Sequence, residues 1–333
     1  MSAGGGKPRI GVITNPGSQR NKAGLGELRE LLDGASNVEH AVLDKITDIP
    51  EILRGFARQE VGVVAVAGGD GTVQAALTEL YGQRPFESDP LLVVVPRGMT
   101  NMIAADVGLK RRGLAGLRRL LAADAEILAR ACLSRRILRL ENALNLPPQY
   151  GMFFGGAGIT RAIDACRSKV HPYNIKSDSA AAVTLAGLLG SWLLRGGGNG
   201  REGGSIFYGD RIAMTFDDAP TQTLESLLIL ATTLDKLILG SRPFWDGGGD
   251  EPGGHLRFTA IAYPPKGMLR YALRILYGGP QRKLPPETYL SRSPRRVALA
   301  MDCPFTLDGE IFEPAPGKEI VLSAADEARF VRL

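Results

Sequence analysis

Three runs of the sequence, "RIGVIT" (9–14), "VGVVAVA" (61–67) and "LLVVVP" (91–96), are aliphatic almost throughout, and each passes directly into a turn rich in glycine or proline. A strand with one wet face alternates apolar and polar residues, whereas a continuous aliphatic run is a strand covered on both faces. Helix-like segments lie between and after these runs: "GELRELLDG" (26–34), "IPEILRGFARQ" (49–59), residues 72–81, residues 101–108 and a basic helix near 113–130. "EHAVLD" (39–44) is a weaker strand. Alternating strands and helices of this kind predict an α/β domain over residues 1–135, a parallel sheet with helices on both faces. In such sheets ligands bind at the carboxyl ends of the strands, where all three turns fall.

From about residue 136 the texture changes. "RRILRLENA", "QYGMFFGGAG", "DRIAMTFDD", "SLLILATTL", "HLRFTAIAYP", "RRVALAMDCPFTLDGE" and "KEIVLSAAD" read as strands broken by Gly/Pro turns. They predict a second, mostly antiparallel domain over 136–321, with one helical insertion at 176–195 and a glycine-rich stretch at 195–204. The tail, about 322–333, is expected to pack back on the first domain. A chain of 333 residues exceeds what one hydrophobic core usually supports, which agrees with two domains.

Composition removes several function classes. The three cysteines, Cys132, Cys166 and Cys303, form no CxxC, and the three histidines, His40, His171 and His255, form no HExxH. A disulfide framework or a thiolate or histidine metal centre therefore has little material, and a reducing compartment fits best. The start "MSAGGGKPRI" has no apolar signal core, and the most hydrophobic helical run, 180–194, is too short to span a bilayer. Charge is uneven: residues 110–140 hold nine Lys/Arg against Asp124 and Glu126, and residues 261–300 hold eight against Glu287 alone. Such asymmetry suits an anionic partner surface. No zinc-finger spacing or RNP-type aromatic pattern supports nucleic acid. A homodimer is allowed by the sequence but not required by it.

The turns themselves carry polar and flexible residues in a pattern suited to phosphate. "ITNPGSQ" offers Asn15, Pro16, Gly17 and Ser18; "AGGDGT" offers Gly68, Gly69, Asp70, Gly71 and Thr72; "VVPRGMTNM" offers Gly98, Thr100 and Asn101. There is no GxxxxGK[ST], and Gln74 stands where a dinucleotide fingerprint has its third glycine. Three turns at three strand ends would form one multi-donor polyphosphate site.

The order NPxS, GGDGT and P-x-G-x-x-N, with "LDGE" (307–310) near the C-terminus, resembles the diacylglycerol kinase catalytic family, which includes bacterial lipid kinases, sphingosine kinases and ceramide kinases. The resemblance implies an N-terminal nucleotide-binding domain, a C-terminal β-sandwich and an active site in the cleft between them. It implies ATP and Mg2+, with the phosphates over Gly68–Thr72 and near Asn15 and Ser18. It also implies Glu310 as the base for a lipid hydroxyl, with Asp308 beside it. A bare carboxylate in a phosphate turn would oppose the phosphate, so Asp70 is expected to be a catalytic residue that meets it through Mg2+ and orients that cation. Read as an extended segment, 308–310 would project both carboxylates to one side; read as Asp-Gly, it is a hairpin turn. Met99 and Met102 depart from the family pattern. So do Gly253 and Arg257, which leave a second, structural magnesium site open.

A lipid kinase of this type would be cytoplasmic, attached peripherally to the inner face of an anionic membrane, and would take a lipid substrate from it. "GMLRYALRILYGGPQRK" (267–283), if helical, is a basic amphipathic element suited to that surface. Two rivals remain: a soluble-metabolite kinase of the NAD kinase type, and a non-catalytic nucleotide- or lipid-binding regulator.

Overall fold

The computed structural model describes residues 7–18, 24–98, 100–109, 114–170, 208–246, 255–324 and 326–333. The helical insertion expected at 176–195, the glycine-rich stretch at 195–204, Met99 and Gly253 lie outside the described residues. The chain divides into two compact units, Met1–Arg135 with Glu327–Leu333, and Arg136–Asp326.

In the first unit, β1 (Ile10–Thr14), β2 (Val38–Val42), β3 (Val63–Gly68) and β4 (Leu91–Pro96) are parallel neighbours in the order β2-β1-β3-β4. Helices α1 (Leu25–Asp33), α2 (Ile49–Arg58) and α3 (Asp70–Gly82) make the crossovers. The C-terminal strand Glu327–Val331 pairs in parallel with β4 and separates it from β5 (Cys132–Arg136). The aliphatic runs are buried on both faces, as their composition requires. Val12, Ala65, Val93 and Val95 share a core with Leu117, Leu120 and Val331, and the alternate residues Ile13, Val64, Val66 and Val94 are buried as well.

The basic segment expected as one helix is two, α5 (Leu114–Ala122) and α6 (Ala125–Arg130), after the short α4 (Met102–Val107). Asp124 is the cause of the break. Its carboxylate accepts the Ile127 N–H at 2.8 Å and starts a new helix.

Among the described residues, the second unit is an antiparallel sheet of eleven strands around a core that includes Phe154, Phe216, Phe258 and Phe305. Its helices differ from expectation. Gly158–Val170 is helical directly after the strand Phe153–Ala157, in a stretch to which the sequence reading assigned no helix. Ala157 takes a left-handed φ of 56° and redirects the chain. The segment Met268–Tyr277 is helical, as its pattern allowed. Among the described residues no helix is long and apolar enough to cross a membrane.

Candidate functional site

In the first sheet β1 has β2 on one side and β3 on the other, so the direction in which strands are added reverses between β1 and β3. Open α/β sheets bind ligands at such a switch point, beyond the carboxyl ends of the strands. Thr14 lies opposite Ala67, and Gly68 opposite Pro96, so the turns after β1, β3 and β4 leave the sheet side by side.

Each turn is held by its own sequence and then by its neighbour. Asn15–Ser18 is a β-turn with proline second: Ser18 N–H reaches Asn15 O at 3.2 Å, and Gly17 N–H donates to Asn15 Oδ1 at 2.9 Å. Asn15 also donates from Nδ2 to Thr72 Oγ1 at 2.9 Å, and its N–H binds Ala67 O at 3.0 Å. Beside this turn Thr14 Oγ1 shares a 3.0 Å hydrogen bond with His40 Nε2, and burial holds the His40 imidazole below its ordinary pKa.

The second and third turns touch first through backbone. Arg97 N–H binds Gly68 O at 3.0 Å. A Cβ on Gly98 would stand 2.5 Å from Gly69 Cα, so the contact exists only because Gly98 has no side chain. Asn101 takes a left-handed conformation (φ 48°) and closes the third turn on itself, accepting Gly98 N–H at 2.8 Å and donating to Gly98 O at 2.6 Å. Thr100 is exposed.

Asp70 spans the second and third turns. Its Oδ2 accepts the Met102 N–H at 2.9 Å and its Oδ1 the Ile103 N–H at 3.0 Å. These are first-turn amides of α4, which Asn101 does not cap. Helix N-termini leave such donors without intrahelical partners, and a carboxylate also suits the positive end of the helix dipole. Burial nevertheless raises the Asp70 pKa from 3.8 to about 6, against the pull of the two amides. Sequence reasoning assigned Asp70 to a cation. It missed this cap, which depends on a helix that starts 32 positions later.

At α3 the arrangement is reversed. The helix has 13 residues and starts at Asp70 after Gly69, and no side chain caps it. Gly68–Thr72 therefore presents helix-terminal amides at the switch point, a setting that receives anions. Among the described residues no group of three or more His, Cys, Asp and Glu could hold a metal ion by itself.

Asp308 and Glu310 lie in the second unit. The strands Phe305–Leu307 and Glu310–Phe312 form a hairpin in which Leu307 faces Glu310. The linking residues Asp308 and Gly309 both have positive φ, 50° and 92°, the pattern of a type I′ turn. The extended reading of 308–310 thus gives way to the turn reading, and the same-side argument lapses with it. Asp308 is buried, with Oδ2 accepting Met152 N–H and Oδ1 accepting Phe153 N–H, each at 2.9 Å. Glu310 is exposed. Arg257, at the departure from the family pattern, pairs with Asp235 at 3.1 Å.

The geometry thus defines a parallel α/β unit with the start of an uncapped helix at its switch point, joined in sequence to an antiparallel unit. Residues 9–129, which carry all three turns, match the diacylglycerol kinase catalytic domain. The fold is similar to the crystal structure of a diacylglycerol kinase from Bacillus anthracis str. Sterne, with a TM-score of 0.57 at 14% identity over 98% of this chain and 97% of that one. Two further Bacillus anthracis structures align with TM-scores of 0.61 and 0.62 at 15% and 14% identity, over the same shares of each chain. No curated protein matches the chain. The catalytic-domain match supports a kinase.

Proposed function

We propose that the protein is an ATP-dependent lipid kinase that transfers the γ-phosphate to a hydroxyl of a diacylglycerol, ceramide or sphingoid-type lipid at the inner face of a membrane. One coincidence carries the reading: the segment that matches a kinase catalytic domain is the segment whose three turns meet at the switch point.

ATP fits the residues present. Its phosphates would lie against the uncapped start of α3, Gly68 to Thr72, with the Asn15–Ser18 and Gly98–Asn101 turns alongside. Mg2+ that accompanies the nucleotide supplies charge neutralisation on the transferring phosphoryl group. Asp70 is the carboxylate at hand. Each of its oxygens takes one amide and, being an ionised carboxylate oxygen, has a second lone pair. Glu310, exposed at the start of its strand, is the proposed base for the acceptor hydroxyl. Asp308 is then the group that fixes the hairpin under Glu310.

The test is radiolabelled ATP with a panel of diacylglycerol, ceramide and sphingoid lipids in detergent micelles, and separately with NAD, comparing wild type with Glu310→Ala. Label in a lipid with wild type and loss of it in the variant supports the reading. Label in NAD and in no lipid would replace it with the soluble-metabolite kinase.

A further inference from the structure

The helix Met268–Tyr277 is built against the usual pattern of a surface helix. Its inner side is anchored: Ile275 is buried with Leu227, Ile261 and Tyr289, and Tyr271 packs edge-on against Tyr289 with ring centroids 5.7 Å apart. Both ends are tied down as well. Tyr289 Oη donates to Lys266 O at 2.7 Å before the first turn, and the Arg282 guanidinium donates to Ile275 O and Gly278 O at the last.

The opposite side of a helix anchored in this way should be polar. Here it is leucine. At 100° per residue, Leu273 and Tyr277 point most directly away from Ile275, and they are 74% and 52% exposed. Leu269 and Leu276 flank them on one side, Leu269 being 61% exposed. Arg270 and Arg274, both exposed, flank them on the other. Residues 266–283 contain Lys266, Arg270, Arg274, Arg282 and Lys283 and no Asp or Glu.

We propose that this helix is the protein's membrane-docking element, lying in the plane of an anionic phospholipid interface. Its leucines and Tyr277 enter the headgroup–acyl boundary, and Arg270, Arg274 and the flanking lysines rest on lipid phosphates. An apolar strip edged by cations suits such an interface, where the leucine side chains leave water while the cations stay at the phosphate level. A second copy of this chain fits less well, because a two-fold contact through the same strip would set Arg270 and Arg274 against their own like charges with no acid in the segment to offset them. The proposal rests on the lipid-kinase reading only for the reason a membrane is visited. The surface itself stands on the exposure and charge of the helix.

The full chain is tested for co-flotation with vesicles of phosphatidylcholine alone and of phosphatidylcholine with phosphatidylglycerol. Wild type should bind the mixed vesicles and release them at high salt. Leu269→Ser with Leu273→Ser should lower binding on the order of tenfold or more, and Arg270→Gln with Arg274→Gln should abolish the preference for phosphatidylglycerol. All four positions are exposed, so melting temperatures should match wild type. Micelle kinase activity, which needs no bilayer docking, should persist in both variants.

Unchanged flotation of the leucine variant overturns the proposal. So does a wild-type dimer that the leucine substitutions dissociate while flotation persists, since the strip then belongs to a second copy. Flotation that depends on the helix, with no lipid phosphorylated by wild type, supports the docking surface and removes the kinase reading.

Discussion

Asp70 holds the Met102 backbone N–H at 2.9 Å, and through its other oxygen the Ile103 N–H at 3.0 Å. A carboxylate inside a glycine-rich turn would repel a bare phosphate, yet here it faces the start of α4 while the adjoining amides open α3. Asp308 repeats the device in the second unit, taking the consecutive amides of Met152 and Phe153. In both places one acid ties a turn to a separate stretch of backbone, so a residue that looks catalytic in sequence also determines whether the turn has its shape.

This arrangement makes stability depend on pH with a sign opposite to that of most carboxylates. The folded Asp70 pKa is about 6 against 3.8 for the ordinary group, so between those values the folded state binds more protons than the unfolded one. Stability from this group is therefore present below about pH 4 and declines as pH rises to about 6, by roughly 3 kcal/mol at most. Asp70→Asn does not titrate. Across pH 4 to 6.5 the melting temperature of wild type should fall relative to Asp70→Asn, and a constant gap between the two would refute the assignment.

Gly98→Ala places a methyl group 2.5 Å from Gly69 Cα. The neighbour is backbone, so no side chain can swing aside, and the second and third turns must separate. Overpacking of this kind costs about 1–3 kcal/mol. Nucleotide affinity should fall along with the melting temperature, because the displaced Gly69 leads into α3. Gly69→Ala, with its methyl group at 3.3 Å from Gly98 Cα, should do less in both measurements.

Asn101 separates backbone strain from lost hydrogen bonds. At φ 48° a non-glycine residue pays about 1 kcal/mol or more in the left-handed region, and the Asn side chain offsets this with two bonds to Gly98. Asn101→Gly loses the bonds but relieves the strain; Asn101→Ala loses the bonds and keeps the strain. Denaturant unfolding should rank wild type above Asn101→Gly, and Asn101→Gly above Asn101→Ala by about 1 kcal/mol.

The parallel sheet was legible because unbroken aliphatic runs such as 61–67 leave little choice but burial on both faces, and the three turns were legible because glycine, proline and asparagine declare their positions locally. The role of Asp70 was not legible in the same way, since its partners lie 32 and 33 residues away and contribute only backbone. That also explains why Met102, a departure from the family pattern, leaves the contact intact. The break at Asp124 had a local signal, a capping acid followed by Glu126, outweighed by the apolar period on either side. The helix Gly158–Val170 was missed because a non-glycine residue, Ala157, makes the left-handed corner where glycine would have marked it. At 308–310 the Asp-Gly dipeptide decided the conformation.

Asp308 and Glu310 should part company when each is truncated. Asp308 is 3% exposed, and Asp308→Ala strips the Met152 and Phe153 amides of their acceptor in a buried setting. Such losses cost about 1–3 kcal/mol for each unsatisfied group, so the variant should lose several degrees of melting temperature, and its activity with it. Glu310 is exposed at the strand start, and Glu310→Ala should unfold within about 0.5 kcal/mol of wild type. If Glu310 is the base, phosphoryl transfer in that variant should fall by about 100-fold or more while ATP binding, measured by calorimetry, stays unchanged, because the turns proposed to bind the nucleotide belong to the other unit. A Glu310→Ala protein that turns over lipid at the wild-type rate would return the role of base to another group and leave "LDGE" as a hairpin alone.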